Sequence, residues 1–164
     1  METYTPTHRI TVSYIDKSRF YYRNKGFDNP YRWATHTKTP FATLKKPLSE
    51  SRIAIVTTAA PNEAGGEREN RQVWAAPSSD IPSALHTHHV FWHKKATHTD
   101  DLGTFLPIDH LYAAAEDGRI GSVGPRFYGV PTTYSQRQTT AQDAPAILEM
   151  CREDAVDGVI LIPM

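Results

Sequence analysis

Arg52-Ile-Ala-Ile-Val-Thr-Thr58 is the point at which the chain changes character. Five of the six residues from Ile53 to Thr58 are β-branched, and such side chains suit a pleated strand better than a helix. The run is short, continuous and bounded by turn residues, so it reads as a buried strand. Val159-Ile-Leu-Ile162, after the turn Asp157-Gly158, reads as a second buried strand, apolar enough to need cover on both faces. Two amphipathic helices are expected between them. Pro107 to Asp117 places Ile108, Leu111, Tyr112 and Ala115 at i, i+3, i+4 and i+7, one apolar stripe. Pro107 suits its first turn, Asp109 its positive N-terminus and Gly118 the position just past its end. The second helix is expected from about 141–144 to about 155, with Ile147, Leu148, Cys151 and Ala155 on its inner face and Pro145 in its first turn. Strands alternating with helices predict an α/β fold. The expected form is an open, mostly parallel sheet with flanking helices, flavodoxin- or Rossmann-like. Sites in such sheets lie beyond the carboxyl ends of the strands.

Working outward, the signals weaken. Ala59 to Asn70 reads as a loop, Arg71 to Ala76 as a lesser strand and Pro77 to Pro82 as a turn. Leu85 to Trp92 reads as extended, with His86, His88 and Val90 on one face. Arg119 to Val130 mixes strand and loop. Residues 1–51 are rich in Tyr, Arg, Lys and Pro and read as an N-terminal arm ahead of the α/β domain at 52–164. Within the arm a helix is expected from Tyr14 to Lys25, stopped by Gly26, followed by a connection punctuated by Pro30, Pro40 and Pro47.

Composition bounds the function. The chain has 164 residues, with Lys plus Arg at 18 and Asp plus Glu at 18. Zero formal charge supplies no global basic field for a nucleic acid, so none is expected as a partner. No apolar run approaches the roughly 20 residues of a membrane span, and no membrane is expected. The first residues, Met1 to Pro6, lack a basic-then-apolar signal pattern, so the expected location is cytoplasmic. The one cysteine, Cys151, excludes a thiolate metal cage within one copy.

The chemistry-bearing residues concentrate in His86-Thr-His88-His89-Val-Phe-Trp-His93-Lys-Lys-Ala-Thr-His98-Thr-Asp100-Asp101. Imidazole and carboxylate are the usual ligands of transition metals. One reading is therefore a divalent metal site on His86, His88, His93 and His98, in a metal-binding protein or metal-dependent hydrolase. Another has His86 and His88 lining a substrate pocket as acid/base groups, with Asp109; a third makes the histidines polar loop residues. Arg126, Tyr128, Tyr134, Gln136 and Arg137 cluster around Gly124-Pro125 and Gly129-Val-Pro131, a mix that suits an anionic or amide-bearing ligand as well as a surface loop. Asn62-Glu-Ala-Gly-Gly66 follows a strand but lacks both G-x-G-x-x-G and G-K-[ST], so no nucleotide motif is present. Cys151, mid-helix on an apolar face, reads as an inert small hydrophobe.

Taken together, Arg52 to Thr58, Asp101-Leu-Gly-Thr-Phe-Leu-Pro-Ile-Asp-His-Leu111, Asp117-Gly-Arg-Ile-Gly121 and Cys151-Arg-Glu-Asp-Ala-Val-Asp-Gly-Val-Ile-Leu-Ile162 resemble the selenoprotein B family of glycine, sarcosine, betaine and D-proline reductases. The likeness is greater to that family's short bacterial relatives and covers about residues 52–164. The resemblance implies reductive cleavage of a carbon–heteroatom bond in a small amino-acid-like substrate. It also implies a reactive selenocysteine or cysteine just after the strand matching Val159 to Ile162. Cys151 does not match that position, and the sequence stops at Met164. Three expectations follow: a UGA selenocysteine codon read as a stop, a remainder on another polypeptide, or a shortened relative that uses its histidines. On the reductase reading Asp109, His86 and His88 supply protons, while Asp101, Arg126 and Tyr134 orient substrate. A non-catalytic partner subunit is the remaining alternative. The expected partners are a small-molecule substrate, a partner reductase subunit and further copies in an oligomer.

Overall fold

The computed structural model describes residues 14–29, 34, 36–61, 72–87, 98–133 and 135–163. The chain divides into two units, Met1–Pro40 and Phe41–Met164. In the first, helix α1 spans Tyr14–Asn24, and Gly26 takes the left-handed φ of 84° that ends such a helix. Residues 41–51, read from sequence as part of the arm, lie in the second unit. There Gly121 N donates to Ser51 O at 2.9 Å, and a Cβ at Gly121 would run into the Glu50 backbone.

The second unit is an α/β fold with an open, mostly parallel sheet. Its strands are β1 (Arg52–Thr57), β2 (Trp74–Pro77), β3 (Ser122–Val123), β4 (Arg126–Gly129) and β5 (Gly158–Ile162). β1 pairs in parallel with β3 through Arg52 and Ile53, with β4 through Val56 and Thr57, and with β5 along Ile53 to Thr57. A strand has only two edges, so β3 and β4 share one side of β1 and β5 takes the other. Gly124 and Pro125 interrupt that shared column; Pro125 has no N–H to give a ladder. β2 closes the β4 side in antiparallel pairing. Gly129 of β4 faces Trp74, and a Cβ there would lie inside the indole.

Alternation along β1 sorts the core into two layers. Ile53 and Ile55 face helix α2 (Ile108–Glu116) and pack with Ile108, Leu111, Phe105, Leu106, Ile120 and Phe127. Ala54 and Val56 face the opposite way and pack with Tyr128 and with Ile147 and Cys151 of the second long helix. α2 has the expected frame: Pro107 at its N-cap, Asp109 in its first turn, and Gly118 at φ 70° beyond its end. Tyr112 of the expected stripe is 39 % exposed.

The second long helix departs from expectation at both ends. It begins at Gln136 (α3, Gln136–Gln138), widens into a π turn over Thr139–Asp143, and continues as α4 (Ala144–Glu153). Pro145 supplies no N–H and its ring crowds the carbonyl four residues back, so a locally wider turn accommodates it. At the other end the helix stops at Glu153. Ala155 is exposed at φ 51°, not on the inner face, because the Val156 N–H turns back to Cys151 O at 2.8 Å in a left-handed C-terminal cap.

β5 also differs from its expected burial. Val159, Ile160 and Leu161 are 41 %, 43 % and 69 % exposed. Among the described strands β5 pairs with β1 alone, at the edge of the described sheet. The Arg71 start of the lesser strand lies outside the described residues. So does most of the extended stretch 85–92, whose described part makes one antiparallel bridge, His86 to Ala60.

Candidate functional site

β2 and then α2 lie between β1 and β3, with α2 on one face of the sheet, and α4 leads the chain from β4 back past β1 to β5 on the other. Parallel crossovers are right-handed, and reversing the sense of travel puts the two helices on opposite faces, in agreement with the two core layers. The helices that precede β3–β4 and β5 thus cover opposite faces, with the neighbouring strands β1 and β4 between them. In sheets of this kind the ligand crevice forms at the carboxyl ends of such strands. Its floor is the register Val56 with Tyr128 and Thr57 with Gly129. Thr57 is fully buried, and its Oγ1 accepts from Ala59 N at 3.3 Å. Val130 N donates to Thr57 O at 2.9 Å, fastening the two strand ends together.

Three of the expected site residues gather at this end. His86 is half-buried, and its backbone exchanges hydrogen bonds with Ala60, three residues past β1. Asp101 caps a 3-10 turn, Leu102–Thr104, accepting from Gly103 N at 2.9 Å. Asp109 lies in the first turn of α2, exposed. Thr87 and Thr99 share a 2.8 Å hydroxyl bond, tying the His86 segment to the one leading into Asp101.

Other expected residues are placed elsewhere. Arg126 starts β4, at the amino end of the sheet, where its Nε donates to Asp154 at 2.7 Å and its terminal nitrogen to Glu153 at 2.9 Å. It acts there as a clasp between β4 and the end of α4. His98 meets Asp100 at 3.4 Å with both side chains exposed. His88, His93 and Tyr134 lie outside the described residues. Among the described residues no group of three His, Cys, Asp or Glu is arranged to hold a metal ion, and no helix is long and apolar enough to cross a membrane.

Cys151 is 7 % exposed against Tyr128 and Ile147. Burial pushes its thiol above the ordinary range, against a weaker opposing hydrogen bond with Tyr128. A thiol held protonated is a poor nucleophile, so the packing role read from sequence agrees with its surroundings.

Sequence reading missed two buried oxygens. Asp143 is 5 % exposed, and among the described residues neither its Oδ2 nor the buried Thr132 Oγ1 has a partner. Asp143, Ile147 and Cys151 recur every four residues and are all buried, so Asp143 prolongs the sheet-facing stripe of α4. α4 runs antiparallel to the strands, which puts Asp143 at their carboxyl end. Thr132 lies two residues past Val130, at that same end. A carboxylate on an apolar stripe was the available sequence signal. Comparison of the chain with protein-family models, with curated proteins and with solved structures gave no match.

Proposed function

We propose that the chain is the substrate-binding α/β subunit of a reductase resembling the selenoprotein B type, acting on a small amino-acid-like molecule at the β1/β4 crevice. The observation that carries this reading is the switch point itself. Helices α2 and α4 cover opposite faces of the paired parallel strands β1 and β4, and His86, Asp101 and Asp109 stand at the carboxyl end of those strands. The sequence resemblance supplies the reaction class, and the fold is of the kind that class calls for. The reaction breaks a carbon–nitrogen or other carbon–heteroatom bond. A dithiol supplies two electrons and two protons and becomes a disulfide, carbon gains hydrogen, and the heteroatom leaves as the free amine. Cys151 is too buried to attack, so the selenolate or thiolate comes from another residue or polypeptide. On this reading Asp109 and His86 hold protons, and Asp101 orients substrate.

The test is amine release from glycine, sarcosine and betaine, and formation of the ring-opened primary amine from D-proline, with excess dithiol. The chain is assayed together with the polypeptides its own cell assembles with it, then alone. The expected result is turnover of one substrate by the former and none by the latter. Absence of turnover with all four substrates in both preparations rejects the reading.

A further inference from the structure

Asp143 combines three features that seldom coincide. It lies in a π turn inside an otherwise α-helical run, and such turns occur disproportionately at functional sites. Its side chain faces the sheet at the carboxyl end of the strands, on the stripe shared with Ile147 and Cys151. Its Oδ2 is buried and accepts no hydrogen bond from the described residues. A carboxylate oxygen removed from water without a donor is unfavourable by more than a neutral group would be. A fold retains such a group where something else supplies the donor. Thr132 Oγ1, at the same end of the sheet, is a second buried oxygen without a partner among the described residues.

The missing donor has a definable chemistry. Two oxygens, one anionic, match an ammonium nitrogen with two or more N–H groups, whose charge the carboxylate neutralises. A divalent cation asks for six or more oxygen ligands or several imidazoles, and no group of three candidate ligands exists among the described residues. An anionic ligand would be repelled by the carboxylate.

We propose that Asp143, with Thr132, anchors the N–H-bearing ammonium group of a small amine at the β1/β4 crevice. This deepens the reductase reading and rests on it for the substrate. It narrows that substrate to molecules whose nitrogen carries hydrogen, as in glycine, sarcosine or D-proline, and disfavours betaine, whose quaternary nitrogen has none to donate.

The experiment titrates the full, isotopically labelled chain with n-propylammonium, with n-propanol as its neutral counterpart, following backbone amide shifts. Saturable shifts at Thr132 and Ala144 are expected with propylammonium and not with propanol. Asp143→Asn should weaken propylammonium by about tenfold or more, the usual worth of one charge-assisted hydrogen bond. The same substitution should raise the melting temperature of the ligand-free protein, because it removes an unpaired buried charge. Thr132→Val should weaken binding several-fold and keep the fold. The proposal is overturned by equal affinity in Asp143→Asn, by no saturable shift at all, or by loss of folding in Asp143→Asn with unchanged affinity in Thr132→Val. The two readings fail separately. Amine release that persists in Asp143→Asn with unchanged KM removes the anchor alone. Asp143-dependent propylammonium binding in a protein that reduces none of the four substrates removes the reductase reading alone.

Discussion

The Tyr128 hydroxyl donates a 2.6 Å hydrogen bond to Asp154 Oδ2, the oxygen that also accepts from Arg126 Nε at 2.7 Å. One carboxylate at the end of α4 thus holds two residues of β4, while Arg52 of β1 donates to the Asp154 carbonyl at 2.6 Å. This cluster ties β1, β4 and α4 together at the amino end of the sheet.

Removing Asp154 strands a buried phenol and unpairs a partly buried guanidinium. Asp154→Ala is expected to destabilise the domain by about 3 kcal/mol, the range for breaking a buried pair. Glu153, whose side chain is 58 % exposed, should matter by less than about 1 kcal/mol when changed to Ala. Urea denaturation checks both. Similar midpoints for the two variants would contradict the assignment.

The same cluster sets a pH profile. Burial works to raise the Asp154 carboxyl, but hydrogen bonds from Arg126 and Tyr128 outweigh it and hold the group below its ordinary value. The stability it contributes is full above an unfolded pKa of about 3.9 and is lost as pH falls through the lower folded value. Burial raises the Tyr128 phenol and the Cys151 thiol. Their contributions are full below unfolded values of about 10 and about 8.5 and are lost as pH rises beyond them. Melting temperature should therefore decline in alkali, and Tyr128→Phe should flatten the part above about pH 10. An alkaline limb unaltered in that variant would refute the attribution to Tyr128.

Ala155 holds a left-handed φ of 51° at the end of α4, a conformation that a Cβ disfavours and glycine accepts. Ala155→Gly is expected to stabilise the domain by about 1 kcal/mol, against the usual effect of adding a glycine. Thermal unfolding reads the sign directly.

β5 pairs only with β1 among the described strands, and Leu161 is 69 % exposed. An apolar edge of this kind templates association between copies. Sedimentation should show concentration-dependent association, reduced by Leu161→Lys with little change in melting temperature. A monomer at every concentration would set the edge aside.

Much of the fold was legible because it rests on local patterns. The β-branched run at Ile53 to Thr58, the stripe of α2 and the Asp157-Gly158 turn are each visible within a few residues. The π turn was not legible, because it is one helical conformation substituted for another around Pro145. The site was less legible still. His86, Asp101 and Asp109 were picked for their chemistry, and topology brought them to one end. Arg126 was picked on the same grounds, but a partner 28 residues away engages it.

Sequence alone determined β1, β5, α1, α2 and the body of α4, since hydrophobic period and turn chemistry act over short distances, but left β3 and β4 within a mixed segment. It also determined that the single thiol would be a core group. Only the tertiary structure decided that β5 is an edge of the described sheet, that Arg126 is a clasp and that Asp143 Oδ2 is buried without a donor among the described residues. Those outcomes depend on which residues distant in the chain come to lie within a few ångströms, and that is set by the handedness of the crossovers and the reach of two helices over one sheet.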